Sequence, residues 1–413
     1  MKKTIRYLDY IIYWLIILIP FSISIASAPQ NLFIGFLTFS FIAKKILKRE
    51  RIFIRTAINK PLLFFFAITC LSVFNSINLK DSLRGGMLRL LEYIIVFFIM
   101  VEELKDSRHI KRIVFSVSLG LILTSVDEIW QVLRGYDFIR GYSPVINIGL
   151  VRATASFKDS NTLGIYLSAL TPLILGLSLY YFKYKEKIAI LSVSILSLVG
   201  IALTYSRPTL LAIFVVLFFL GFIKKDKFLI SLLFVIILTS PFILPRSVKN
   251  WARDVSYNPL RLMCNDDRIA IYRHSLNMIK DHPLIGVGAN TYMKNYKKYK
   301  ESPEYRGVIT SDYIYAHNNF LHMAAEIGLI GLGIFVWLLY KLFMECANIY
   351  RRLGDDFLKV VSLSLSASLI AFLVNGLTES SLYYSRVAIL FWYIAGFSLS
   401  LNRLANADRP RSD

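Results

Sequence analysis

Three residues in this chain have the chemistry of a phosphate-handling site. His317 opens the run His317, Asn318, Asn319, Phe320 at the mouth of an apolar stretch. A neutral imidazole titrates near neutrality and can take a proton from an attacking hydroxyl. Arg207 and Arg268 fall in the same compartment, and a guanidinium grips phosphate oxygens in a bidentate fork. A base and two anion clamps at one membrane surface point to chemistry on a lipid-linked phosphate. Each residue also has a bland reading. His317 could be an interfacial helix cap, Arg207 a headgroup anchor, and Arg268 the surface partner of Asp266 or Asp267. Arg386 follows shortly after Glu379, and Arg152 and Lys158 stand in another short loop, so Glu379, Arg386 and Arg152 form a secondary set. Glu326 lies about two turns into the stretch that His317 opens. An acid at that depth usually faces a bundle interior or water. Glu92 has Arg89 three residues before it as a structural partner. His322 is five residues from His317 and does not share a helix face with it well, and no H-E-x-x-H or D-x-D pattern occurs. Neither a metal nor a cofactor is expected.

The elements that must position these residues are membrane helices. The chain has 413 residues, 56% hydrophobic and 14% aromatic, without the polar linkers of a multidomain soluble protein. Apolar runs of about 20 residues recur, the length a helix needs to cross a bilayer. Backbone satisfaction in lipid then favours helices, and the short alternating segments of a β-barrel are absent. The expectation is an all-α integral membrane protein of about twelve spans, near 8–28, 30–43, 61–78, 86–101, 113–133, 161–182, 187–205, 207–223, 227–244, 317–343, 357–376 and 385–402. Spans one to nine occupy 1–243, a large loop 244–316, and the last three spans with the tail 317–413. The first pair should turn at Pro29 and the seventh and eighth spans at Ser206. Lys2, Lys3 and Arg6 before an apolar run ending at Ala28 resemble a secretory signal, but the run's length favours an uncleaved first helix.

The net charge of +21 sits in loops between spans, so it is a topology signal rather than a nucleic-acid footprint. Lys and Arg concentrate in the short loops that share a side with both termini, which places both ends in the cytoplasm and the large loop outside. Within that loop, 268–280 reads as an amphipathic helix with Ile269, Tyr272, Leu276 and Ile279 on one stripe against the outer leaflet. Pro283, Gly286 and Gly288 stop it. The lysines and tyrosines of 292–299 would lie at headgroup level. Gly328, Gly331 and Gly333 suggest close helix packing. Cys70, Cys264 and Cys346 show no metal spacing and no disulfide pattern.

Several segments together resemble the O-antigen ligase and polymerase superfamily of bacterial membrane glycosyltransferases. They are 152–161 (RATASFKDSN), 204–211 (TYSRPTLL), 268–272 (RIAIY) running to 282–288 (HPLIGVG), and 317–321 (HNNFL) followed by 326–331 (EIGLIG). Each motif is loose; their order around one large outer loop is more specific. The resemblance implies a GT-C-like fold in the bacterial inner membrane and a periplasmic active site that works without nucleotide sugars or metal. The implied donor is a glycan on undecaprenyl pyrophosphate. The implied acceptor is a sugar hydroxyl of lipid A core for a ligase, or another lipid-linked glycan for a polymerase. The family's catalytic histidine falls on His317, its phosphate-binding arginines on Arg207 and Arg268, and its acidic residue on Glu379, where related ligases can carry Asp.

The leading expectation is an O-antigen ligase acting by an inverting displacement, with membrane lipids as surroundings, no nucleic-acid partner and the oligomeric state open. An O-antigen polymerase is the alternative within the superfamily. A transporter or flippase of lipid-linked glycan is the alternative from another class. It would call for internal repeats and broken midplane helices. No halves match, and the polar candidates gather at one face.

Overall fold

The computed structural model describes residues 1–147, 149–243, 249–250, 253–254, 266–300 and 314–407. Cys264 and part of the expected loop 244–316 lie outside the described residues. The described chain is helical apart from one hairpin, β1 (Val145–Asn147) and β2 (Leu150–Arg152), paired antiparallel with Ile146 opposite Val151. The first half runs α1 (Lys2–Ile25), α2 (Ser27–Lys48), α3 (Asn59–Ser72), α4 (Arg89–Glu103), α5 (Ser107–Arg134), α6 (Ser160–Tyr180), α7 (Tyr184–Leu203), α8 (Arg207–Lys224) and α9 (Lys227–Ile243). Two loop helices follow, α10 (Asp266–Asp281) and α11 (Tyr292–Lys300), and then α12 (Asn319–Arg352), α13 (Asp356–Gly376) and α14 (Ser385–Ala407). The expected apolar stretches lie mainly on helices, with the count of twelve spans left open. Among the described residues, eight of these helices are long and apolar enough to cross a membrane by length and composition. The chain is an all-α multi-pass membrane protein.

Helix α6 is the central post. Its apolar window is 94% buried inside the protein, against 22% for α7, so α6 is walled by other helices while α7 presents most of its surface outward. The joint between α1 and α2 is Ala26, whose backbone is extended, rather than Pro29. Pro29 sits in the first turn of α2, where a missing N–H is tolerated. The turn from α7 to α8 covers residues 204–206, with Tyr205 at φ 46° and Pro208 in the first turn of α8.

The loop helices form a second small core against α12, made of Ile271, Met278, Val287, Tyr292, Tyr296, Ala324 and Ala325. Both loop helices give one face to it. The buried face of α10 carries Ile271, His274, Ser275 and Met278, while Leu276 is 46% exposed. The tyrosines of α11 pack inward rather than toward headgroups: Tyr292, Tyr296 and Tyr299 are buried, and the lysines face out. Helical periodicity explains both, because α11 packs one face on α10 and α12 and leaves the other solvated.

Gly328 is more than a packing residue. It interrupts α12 with φ 74° and ψ 176°. The break frees carbonyls that would otherwise bond within the helix. Val287 N donates to Ala325 O at 2.9 Å and Gly288 N to Glu326 O at 3.0 Å, while Leu329 N donates to Pro283 O at 2.8 Å. A Cβ on Gly328 would stand 2.0 Å from Leu284 O, so the position excludes a side chain sterically as well as by its φ. The Glu326 carboxylate completes the joint. It accepts from Asn290 N at 2.8 Å and Tyr292 N at 2.9 Å, capping the start of α11.

Candidate active site

The run His317, Asn318, Asn319 works as a docking device. Asn318 is the N-cap of α12, its Oδ1 accepting from Phe320 N at 2.9 Å and Leu321 N at 3.0 Å. Its Nδ2 donates to Leu377 O at 2.7 Å. Asn319 donates through Nδ2 to Ser381 Oγ at 2.8 Å and accepts from Leu382 N at 3.0 Å. Both asparagines therefore fasten the start of α12 to the turn between α13 and α14, which carries Glu379. His317 is not the cap. It stands one residue before it, with φ 47°, a left-handed backbone that costs a non-glycine residue about 1–2 kcal/mol. Tyr272 of α10 donates its hydroxyl to His317 O at 3.0 Å and pins that conformation.

Glu379 is the hub. Its side chain is 1% exposed. It pairs with Arg268 through Oε1, accepts from Asn161 Nδ2 at 2.8 Å, and meets His317 Nδ1 at 3.0 Å through Oε2. Burial pushes its carboxyl up, but the hydrogen bond from His317 and the Arg268 charge outweigh burial and hold it below the ordinary glutamate range. An ionised carboxylate only accepts, so it places the imidazole proton on Nδ1 and leaves the Nε2 lone pair for a substrate proton. His317 keeps 24% of its side chain exposed, which leaves it within reach of a substrate.

Arg268 and Arg152 reach this hub by different routes. Arg268, near the start of α10, also donates to Thr378 O at 2.9 Å. Arg152, at the end of β2, donates to Thr204 O at 2.9 Å and to Asn161 Oδ1 at 2.9 Å. Asn161 thus bridges Arg152 to Glu379. Burial lowers the Arg152 pKa, partly offset by the charges of Asp159 and Glu379. Arg207 is the first residue of α8 and half-buried. Its helix start is tied to the same turn: Thr209 Oγ1 donates to Asn375 Oδ1 at 3.0 Å, and Glu379 N donates to Asn375 O at 2.9 Å.

Two secondary candidates stand apart from His317. Arg386 is buried; it donates to Ser156 O at 2.7 Å and Ile23 O at 3.2 Å and lies 3.6 Å from the Phe157 ring centre, clamping α14 to the end of α1. Glu326 is taken up by the α11 cap. Both nevertheless line a cavity of about 590 Å3 with Arg89, Asp159, Tyr315 and Tyr384, beside the hub. Asn161 and Tyr272 escaped sequence reasoning. Asn161 lies inside the motif 152–161, directly after the Asp159 cap of α6, and an asparagine there reads as part of a helix start. Among the described residues, no group of three or more His, Cys, Asp and Glu is arranged to hold a metal ion.

Comparison with known proteins adds a family to this geometry. Residues 192–336 match the family model described as O-Antigen ligase. A Rickettsia bellii (strain RML369-C) protein provisionally named a polysaccharide ligase is 33% identical over 90 residues, which are 22% of this chain and 21% of that protein. The chain thus aligns with about a fifth of that relative's length. The family match takes in Arg207, Arg268 and His317 and leaves Arg152, Asn161 and Glu379 outside it. Over residues 192–336, about a third of its length, the chain is similar to the O-antigen ligase family.

Proposed function

We propose that the chain transfers a glycan from undecaprenyl pyrophosphate to a sugar hydroxyl of lipid A core, at the periplasmic face of the bacterial inner membrane, with both termini cytoplasmic. The observation that carries this reading is the carboxylate-anchored His317 with Arg268 on the same Glu379. Pyrophosphate on the anomeric carbon is already a good leaving group, so the protein has to hold phosphates and orient a nucleophile. Arg207 and Arg268 hold the donor phosphates. His317 Nε2 takes the proton of the acceptor hydroxyl as its oxygen attacks the anomeric carbon. The bond from that carbon to the phosphate oxygen breaks, and its electron pair leaves with undecaprenyl pyrophosphate. Attack opposite the leaving group inverts the anomeric centre. Nothing in these steps calls on a metal, so the reaction proceeds in EDTA.

The test is transfer by the purified chain in liposomes, with undecaprenyl-pyrophosphate glycan and lipid A core, in EDTA. The expected product is glycan joined to lipid A core, and only when the core is present. Lengthened lipid-linked glycan in the absence of core would replace this reading with a polymerase. Movement of intact donor across the membrane without any transfer would replace it with a transporter.

A further inference from the structure

His322 is a buried titratable group that the proposed reaction does not use. It lies in the first turn of α12 and is 1% exposed. Its Nδ1 is 3.1 Å from Ser380 Oγ, the hydroxyl of the residue that follows Glu379. Its Nε2 is 3.4 Å from Glu326 Oε1 and has no hydrogen-bond partner among the described residues. The ring lies flat on Tyr383, with centroids 3.5 Å apart and planes at 13°, and is tilted against Tyr292 of α11 at 4.5 Å. Stacking alone would suit any aromatic ring; the two nitrogens distinguish this one.

The surroundings place the ring proton. The Glu326 oxygens already accept from Asn290 N and Tyr292 N, so they face His322 as acceptors. A bare lone pair on Nε2 would be repelled by Oε1, whereas a proton there is attracted. With the proton on Nε2, Nδ1 is an acceptor, and Ser380 donates its hydroxyl to it. The turn that carries Glu379 is already fastened to α12 at Leu377, Ser381 and Leu382 by Asn318 and Asn319. The bond to His322 falls at the residue next to Glu379, and the stacked ring carries the connection on to α11. We propose that His322 is a positioning residue. Steered by Glu326 at one nitrogen, it fixes Ser380 at the other and so sets the Glu379 carboxylate on His317 Nδ1. The expected effect on rate rests on the glycan-transfer reading; the effect on the bond between Glu379 and His317 does not.

The experiment compares His322→Asn, His322→Gln and Ser380→Ala with the wild type, all as the full-length chain. An asparagine amide stands as many bonds from Cβ as Nδ1 does, and a glutamine amide as many as Nε2. Single-turnover transfer in liposomes should be about tenfold slower in His322→Gln and Ser380→Ala, the effect of one lost hydrogen bond, with donor binding unchanged. His322→Asn should stay near the wild-type rate. Combining His322→Gln with Ser380→Ala should slow transfer no further, because both remove the same bond. A second readout needs no substrate. With the histidine nitrogens isotope-labelled for NMR, the His317 Nδ1–H signal reports the bond to Glu379. It should move in His322→Gln and Ser380→Ala and hold in His322→Asn. Ser380→Ala removes a single oxygen and decides the matter if the histidine variants do not fold. Equal effects in His322→Asn and His322→Gln, losses that multiply in the double variant, or an unmoved His317 signal in Ser380→Ala would reduce His322 to packing and overturn the proposal. A wild type that transfers nothing while the signal moves as expected would remove the glycan-transfer reading and keep this one.

Discussion

Replacing Glu379 with glutamine removes a charge and one acceptor from a hub that serves three donors. His317 Nδ1 lies 3.0 Å away, Asn161 Nδ2 2.8 Å away, and Arg268 pairs with the same carboxylate. A glutamine has one carbonyl oxygen for these donors, and its NH2 must face one of them. Each hydrogen bond to a charged group is worth about 1.5–3 kcal/mol. Removing one partner of a buried ion pair costs about 3–5 kcal/mol. Arg268 keeps 14% exposure and its bond to Thr378 O, so the lower end applies, about 3 kcal/mol of stability. The rate should fall further than stability suggests. If the glutamine NH2 turns to His317 Nδ1, the imidazole must carry its proton on Nε2, and the base is gone. If the oxygen turns there, the imidazolium formed during transfer loses its counter-charge, and about 3 kcal/mol of lost transition-state stabilisation is about 100-fold in kcat. Initial transfer rates in liposomes, alongside thermal melts and donor binding, measure both effects. A folded Glu379→Gln enzyme that binds donor and turns over at the wild-type rate would refute the role of the carboxylate in orienting His317.

The same hub sets an acid limit. The folded carboxyl sits below its ordinary value of 4.5, so its contribution to stability is complete above that value and is lost as pH falls through the depressed folded one. Thermal midpoints of the wild type should therefore fall on acidification below that ordinary value, and Glu379→Gln should flatten that part of the curve. Arg207→Lys and Arg268→Lys should each impair transfer with the fold intact, because a point charge lacks the bidentate fork; full activity in both would remove the phosphate clamp. Gly328→Ala should destabilise by about 3 kcal/mol or more from left-handed strain and backbone overlap together, read as a lower thermal midpoint, whereas Gly333→Ala, which meets nothing within 4 Å, should be nearly neutral.

The helices were legible in the sequence because lipid admits few alternatives: a run of apolar residues long enough to span has to satisfy its backbone internally. Their ends were less so. Pro29 looked like the first hinge, but a proline fits the first turn of a helix, and the chain bends at Ala26 instead. Gly328 looked like packing because no local signal separates a glycine in a smooth helix from one that breaks it; the difference lies in the 283–288 segment, far away in sequence, that bonds into the gap. The α11 tyrosines looked interfacial because their amphipathic rings suit either a headgroup layer or a protein face, and tertiary packing chose the second. In the site, residue chemistry singled out His317 and the two arginines. Glu379 gained weight only from family resemblance, since an acid near a helix end has many readings. Asn161 lay inside the motif 152–161 but read there as part of a helix start: its use depends on Arg152 and Glu379 meeting across the bundle.

The most direct measurement is single-turnover transfer by wild type and His317→Ala, with donor binding determined on the same preparations. A base at His317 predicts that the variant folds, binds undecaprenyl-pyrophosphate glycan as the wild type does, and forms no glycan-bearing lipid A core. Turnover of bound donor by His317→Ala at the wild-type rate would contradict it and move the base to another residue.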